Sequence, residues 1–365
     1  FVVTTLECYL LTVLIVRRGW LAFLVSLLFG TNLLLLSYYK PMMTEGFACW
    51  LLTSIVLCSA LYLSKHAVRY FWLAFVCTGL LLFTRPEWVF LPILLFAYFL
   101  LFSKGQGRFR TFLRRGGIAV GLIYALIGAY IAANTIFNHY PGITYVENMN
   151  VIGKVLQYDM QNEPPVSDER IRRILDHYQS QGSISPYYIV GHEPTLRPNY
   201  VQAAASFARN VILHHPLEFL LKSIPYFFTS LYRSYPVSLN QAQHPGPYQV
   251  VIQELFAVHQ YLYLCNILFP CCAVAWLFLL SRSRWRGRKE VQVMGLIVLT
   301  VSCAVIITTL GGYYETDYMR VHTVFDLLII VTVWGTLLLG LQYICRKVLY
   351  AFAPSVGNID NGTGV

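Results

Sequence analysis

Apolar runs of about 16 to 24 residues, broken by short charged stretches, set the rhythm of this chain, and runs of that length span about 30 Å of hydrocarbon as helices. The first covers 1–16 and stops at Arg17-Arg18. The second covers 19–36 and leads into Ser37-Tyr38-Tyr39-Lys40-Pro41. Glu45 opens a third, which runs past Leu63 to Lys65. From Tyr70 to Phe102 nearly every residue is apolar except Thr84-Arg85-Pro86-Glu87. A charge at the centre of a membrane helix costs roughly 2.5 to 3.5 kcal/mol. Pro86 removes a backbone donor and moves the residue before it out of helical geometry. The run therefore predicts two short helices meeting at a polar hairpin. Further helices follow at 116–137, 255–280, 291–310 and 321–344, with a turn at 313–320 before the last.

Between these runs lies a long polar segment, 138–250. Ser167 is placed to cap a helix running through Asp168-Glu169 to about Tyr178, where first-turn acids suit the helix dipole. A second helical stretch runs from Tyr200 towards His215-Pro216. The apolar, aromatic stretch from Leu217 to Tyr232 carries Glu218 and Lys222 and reads as an interfacial helix. The organisation expected is membrane helices over 1–137, an extracytoplasmic segment over 138–250, membrane helices over 251–350, and a disordered cytosolic tail over 351–365. The fold class is an all-α polytopic membrane protein with about nine transmembrane helices.

Composition agrees: 57% of residues are hydrophobic and 12% charged, outside the range of soluble globular chains. The net charge of +10 changes the picture only through its distribution. Arg17, Arg18, Lys65, Arg69, the 104–115 group, the 282–289 group, Arg346 and Lys347 all fall in short loops, where clustered Lys/Arg marks the cytoplasmic side. That pattern excludes a nucleic-acid partner and turns the Arg85 hairpin and the 138–250 segment outward. The nine cysteines lie in or beside apolar runs, so neither a disulfide framework nor a zinc pair is expected. No phosphate-cradling glycine loop exists, and no histidine spacing matches a metal-binding motif such as HExxH. The chain opens on Phe1, directly in an apolar run, and reads as lacking its natural beginning.

Three basic residues remain in short outward turns, each with an acid near it in sequence. Lys40 has Glu45, Arg85 has Glu87, and Arg320 has Glu315 and Asp317. Three cation–carboxylate turns at one membrane depth fit a site for a phosphate-bearing ligand, with cations on the phosphate and a carboxylate as base. A single such pair is ordinarily a structural ion pair, and Glu45 alone is ordinarily an acid that stabilises its own first helical turn. Tyr318 and the neighbouring aromatics form an interfacial belt.

Met43-Thr44-Glu45-Gly46-Phe47, followed by Gly79-Leu80-Leu81-Leu82-Phe83-Thr84-Arg85-Pro86-Glu87, resembles the GT-C membrane glycosyltransferases. The resemblance is to the branch of protein O-mannosyltransferases, aminoarabinose transferases and bacterial lipopolysaccharide-core sugar transferases. Tyr318-Met319-Arg320 before the last helix, and His215-Pro216-Leu217-Glu218-Phe219-Leu220, are similar to segments of that family. The resemblance implies an inverting transferase that moves a sugar from a polyprenyl-phosphate donor to a hydroxyl of a glycan, lipid or protein acceptor. It implies a bacterial plasma membrane and an active face outside. Glu45 is then the catalytic carboxylate present in this chain, with Arg85, Glu87, Arg320, Asp317, Lys40 and Tyr318 around the substrate. The family's main base belongs to a first outer loop upstream of Phe1. No cofactor is required, and a divalent metal is compatible.

Two readings of other classes stand beside this one: a lipid-linked glycan transporter, for which Asp326 within the last apolar run is the residue of interest, and a non-catalytic membrane scaffold. All depend on the sidedness. With reactive native cysteines replaced, single cysteines at Ser167 and Ser183 are expected to react with an impermeant thiol reagent from outside. A cysteine at Ser283 is expected to react only after permeabilisation. Reversed labelling would put the charged turns in the cytosol and remove the transferase reading.

Overall fold

The computed structural model describes residues 1–32, 44–103, 109–144, 146–164, 167–182, 185–193, 200–232, 249–311 and 315–352, the side chains of 103, 200, 249–252, 315–320, 346 and 348–352 excepted. The described residues form helices and turns, with no strand among them. Among the described residues, five helices are long and apolar enough to cross a membrane: Thr44–Lys65, Phe109–Asn138, 253–281, Lys289–Gly311 and Val321–Cys345. Four apolar helices are shorter: Val2–Val16, Gly19–Gly30, Val68–Thr84 and Pro86–Phe102. The nine expected crossings thus divide into five of full length and four that fall short.

We number the helices α1 (Val2–Val16), α2 (Gly19–Gly30), α3 (Thr44–Lys65), α4 (Val68–Thr84), α5 (Leu91–Ser103) and α6 (Phe109–Asn138). The bundle resumes with α12 (Gln249–Leu264), α13 (Phe269–Ser281), α14 (Lys289–Gly311) and α15 (Glu315–Phe352). A 3₁₀ turn, Cys265–Leu268, joins α12 to α13. At the centre stands α3, packed against α1, α4, α14 and α15. Its sequence is apolar all round, so it can be buried on every side, and fourteen of its 22 residues are. The outer helices turn large apolar side chains outward, among them Phe23, Leu73, Leu122, Leu126, Val274 and Phe278. That surface suits hydrocarbon rather than water. Gly295 on α14 allows close packing with α5 and α13, because a Cβ there would come within 2.9 Å of both the Tyr98 hydroxyl and a Leu280 methyl.

The two ends of the bundle differ in chemistry. At one end Arg17 closes α1 in the left-handed region (φ 57°) and pairs with Glu290 at 2.5 Å. Lys289 Nζ donates to the Ser64 carbonyl at 2.9 Å, and Arg286 donates to the Leu101 carbonyl at 3.3 Å. Four of the short basic loops therefore lie together at one end, as an alternating topology requires. At the opposite end, Leu310 of α14 packs against the core of the polar segment.

That segment folds into its own small helical domain: α7 (Val146–Gln157), α8 (Glu169–Ser180), α9 (Pro186–His192), α10 (Tyr200–His214) and α11 (Pro216–Tyr232). Its core includes Met149, Ile152, Val155, Ile171, Leu175, Ala204, Ala208 and Phe219. The cap of α8 is Asp168, not the expected Ser167: its carboxylate accepts from Arg170 N and Ile171 N at 3.0 and 3.1 Å. The helix α11 spans the expected stretch and contains Pro225. It buries Phe219, Ser223 and Leu231 and exposes Leu217, Leu220, Leu221, Ile224 and Phe228, an apolar stripe of the kind carried by helices lying in a membrane interface.

Two boundaries correct the sequence reading. Residues 315–320 begin α15 instead of forming a turn, because Glu315 and Asp317 occupy the first helical turn, where acids stabilise the dipole. At the other end α15 runs through Phe352, so 351–352 are helical and not tail; residues 353–365 lie outside the described residues.

Lys154 is the anomaly of the polar domain. It is 1% exposed, with Nζ 3.1 Å from the Tyr158 hydroxyl and near the faces of the Tyr158 and Tyr226 rings. Burial pushes its amine down to about 7. Below that pH the amine is charged in both the folded and unfolded chains, and the full cost of burying the charge is present. Between pH 7 and the unfolded value of about 10.4, only the unfolded chain keeps its proton, and stability rises with pH. Lys154→Met should therefore stabilise the protein by a constant margin below about pH 7, and the margin should shrink as pH rises towards 10. Thermal unfolding of both proteins across that range measures it. A margin constant through pH 10 would show that the amine stays charged in the folded state.

Candidate functional site

The hairpin predicted around Arg85 is present, and its backbone explains how a guanidinium comes to be buried. Ahead of Pro86, Arg85 leaves helical geometry for an extended one (φ −147°, ψ 88°), which ends α4. The Thr84 hydroxyl donates back to the Leu81 carbonyl at 2.8 Å, and Pro86–Trp88 make one 3₁₀ turn before α5. Trp88, 1% exposed, pins this turn into the bundle between Phe90 and Phe325, with ring centroids 5.7 and 6.0 Å away.

Arg85 is thereby aimed into the bundle instead of out of it. Its Nη2 forms an ion pair with Glu45 Oε1, and its Nη1 lies 3.7 Å from Glu87 Oε1. Glu45 and Arg85 are 3% and 7% exposed, whereas the Glu87 side chain keeps 28% of its surface. Arg85 Nε makes no hydrogen bond among the described residues. The pairing corrects the turn-by-turn expectation: the carboxylate nearest Arg85 comes from the start of α3, forty residues earlier, and Glu87 is the more distant one. It also corrects the reading of Glu45 as an acid that serves only its own first turn. Glu45 does sit in the first turn of α3, but its side chain is spent on Arg85.

Of the remaining sequence candidates, Lys40 lies outside the described residues. Asp317, Tyr318 and Arg320 lie in the first turns of α15, with their side chains outside the described set. Their backbone places them at the correct end of the bundle, since Phe325, which meets Trp88, is only five residues beyond Arg320 on the same helix, about 7.5 Å along its axis.

A second polar cluster lies deeper in the bundle, and the sequence reading had only one of its members. Asp326, 3% exposed, accepts from the Tyr263 hydroxyl of α12 at 3.0 Å through Oδ2, and its Oδ1 lies 3.1 Å from His322 Nδ1. The His322 ring packs on Phe325 at 4.2 Å, so Trp88, Phe325 and His322 form a continuous line of rings between the two clusters. The four-residue spacing of His322 and Asp326 was a legible signal for one helix face; Tyr263, from another helix, left none. A cavity of about 10 Å³, room for one water, adjoins this cluster and is lined by Asn32, His259, Tyr263 and Asn266 among others. Glu7, on α1, lies apart from both clusters and accepts from the Ser54 hydroxyl at 2.7 Å.

No family model, curated protein or solved structure matches this chain.

Burial fixes what the first cluster is worth. Removing one partner of a buried ion pair strands the other charge and costs about 3 to 5 kcal/mol, whereas replacing both by apolar groups is often neutral. Glu45→Gln should accordingly lower the melting temperature of the purified protein markedly, and Glu45→Leu/Arg85→Met should recover most of that loss. If the double variant is destabilised by the sum of the two single ones, Arg85 and Glu45 do not depend on each other.

Proposed function

We propose that this chain is an inverting membrane glycosyltransferase that uses a polyprenyl-phosphate sugar donor at its extracytoplasmic face. The observation that carries the reading is the buried Arg85, shared by carboxylates from two turns at the bundle end that bears the polar domain. Buried charge at a membrane boundary is costly, and it concentrates where substrates are handled. In the reaction, the acceptor hydroxyl oxygen forms a bond to the anomeric carbon, and the bond from that carbon to the phosphate oxygen breaks. The polyprenyl phosphate leaves with the electron pair, and a carboxylate takes the acceptor's proton. A guanidinium held in place before the substrate arrives stabilises the charge gathering on the leaving phosphate. Arg85 fills that role, with Arg320 at the start of α15 and Lys40 as further phosphate ligands. Asp317 and Tyr318 flank the same substrate. Within this assignment Glu45 sets the position of Arg85, and Glu87 is the carboxylate with access to solvent. The polar domain covers the acceptor side, and the apolar stripe of α11 lies along the outer leaflet.

A transporter of lipid-linked glycans is the second reading, and the His322–Asp326–Tyr263 cluster favours it, because ionisable groups along a membrane helix commonly mark a translocation path.

Glu87 separates chemistry from stability better than Glu45, since it is partly exposed and its removal leaves the Arg85–Glu45 pair intact. Glu87→Gln in the full-length parent should keep its melting temperature and lose on the order of 10²-fold or more in sugar transfer from a polyprenyl-phosphate donor. Near-normal turnover would remove Glu87 from the site. A parent protein that moves lipid-linked glycan across proteoliposome membranes without transferring sugar would replace this reading with the second.

A further inference from the structure

The polar domain contains a side-chain cluster that the transferase reading does not use. Glu163 follows the turn after α7, its N–H bonded to the Met160 carbonyl at 3.1 Å, while His215 and Glu218 sit at the start of α11. One ligand atom from each of the three residues lies within 4.8 Å of the other two. His215 Nε2 is in hydrogen-bond contact with the Pro164 carbonyl, which can only accept, so Nε2 carries a proton there. In the neutral ring the lone pair then falls on Nδ1, and Nδ1 faces Glu218 Oε2 at 4.0 Å. An imidazole lone pair and a carboxylate oxygen facing each other at that distance leave room for a cation to bridge them. The other oxygen of Glu218 is held at 2.6 Å by Lys222, which also donates to the Tyr158 carbonyl at 2.8 Å and so fixes the carboxylate's orientation.

We propose that Glu163, His215 and Glu218 bind one first-row divalent cation, of the zinc or manganese type. Ligand bonds of about 2.1 Å place neighbouring donors of a four-coordinate ion about 3.4 Å apart, so the three groups close on an ion with side-chain movement on the order of an ångström. An imidazole with two carboxylates selects such ions over magnesium and calcium, which prefer all-oxygen shells. The contact from Nε2 to a backbone carbonyl is the outer-shell arrangement that fixes the tautomer and direction of metal-binding histidines. The half-buried position leaves open coordination sites for water or a ligand oxygen. The ion ties the turn after α7 to the first turn of α11, the helix that joins the polar domain to α14 and to the 265–268 turn. Binding there stabilises the docking of the polar domain by mass action.

The test uses the purified full chain, stripped with a chelator. Manganese is the first probe, because the nine free cysteines favour zinc but hold manganese poorly. Electron paramagnetic resonance should show one saturable manganese site per chain, unaffected by excess magnesium, and zinc should displace it. Manganese should also raise the melting temperature. His215→Ala and the near-isosteric Glu163→Gln should each weaken binding by on the order of 10-fold or more and abolish the thermal shift, with metal-free melting of Glu163→Gln unchanged. Absence of saturable binding and thermal shift in the parent, or binding by either variant as tight as that of the parent, would overturn the proposal.

Discussion

A guanidinium at the boundary of an apolar bundle has to be paired, and the pairing of Arg85 with Glu45 organises everything around it. Arg85 reaches inward because Pro86 stops α4 one residue too early for the chain to continue as a helix, and because Trp88 wedges the following turn into the core. Glu45 meets it because α3 begins at that level with its positive dipole end. Once the two are locked together, α3, α4 and the start of α5 share one depth at this end. The only register left for the basic loops is at the other end, where Arg17, Lys289 and Arg286 bind a carboxylate and helix-terminal carbonyls. The sorting of charge in the sequence and the packing of the bundle are two consequences of the same desolvation cost.

This explains which features the sequence disclosed. Helix existence and the hairpin were legible, because hydrocarbon forbids unsatisfied backbone and a Thr-Arg-Pro-Glu break admits few solutions. The partner of Arg85 was not: linear proximity favoured Glu87, and only the folded bundle brings Glu45 across forty residues. The segment 315–320 was misread for a related reason. Glu315 and Asp317 suit an exposed turn and the first turn of a helix equally well, and the long apolar stretch after them decided for the helix. In the polar domain, Asp168 displaced Ser167 as cap by one residue, a distinction set by backbone angles (φ −148°, ψ 102°) that composition does not encode.

The histidines show a different limit. A search for fixed metal-binding motifs passes over His215, although His215 and Glu218 stand three apart at the start of one helix, the spacing that places two side chains together. Glu163 completes the group from a separate turn. His322 and Asp326 repeat the lesson in the membrane, with Tyr263 arriving from another helix. In each case one pair was local and readable, and the third residue depended on tertiary packing.

The two polar layers of the bundle are best understood together. Arg85 with Glu45 and Glu87 lies at the end bearing the polar domain; His322 with Asp326 and Tyr263 lies further in, and the rings of Trp88 and Phe325 separate them. An ion pair kept only for stability has no need of a second buried carboxylate beyond a layer of aromatic rings, since an apolar replacement serves a hydrophobic core as well or better. Under the transferase proposal the outer layer faces the donor phosphate, and the aromatic rings separate it from the inner layer. The Trp88 ring stacks on Phe90 and meets Phe325 edge-on, and Phe325 in turn packs against the His322 ring, so the two polar layers are held apart by one continuous aromatic contact.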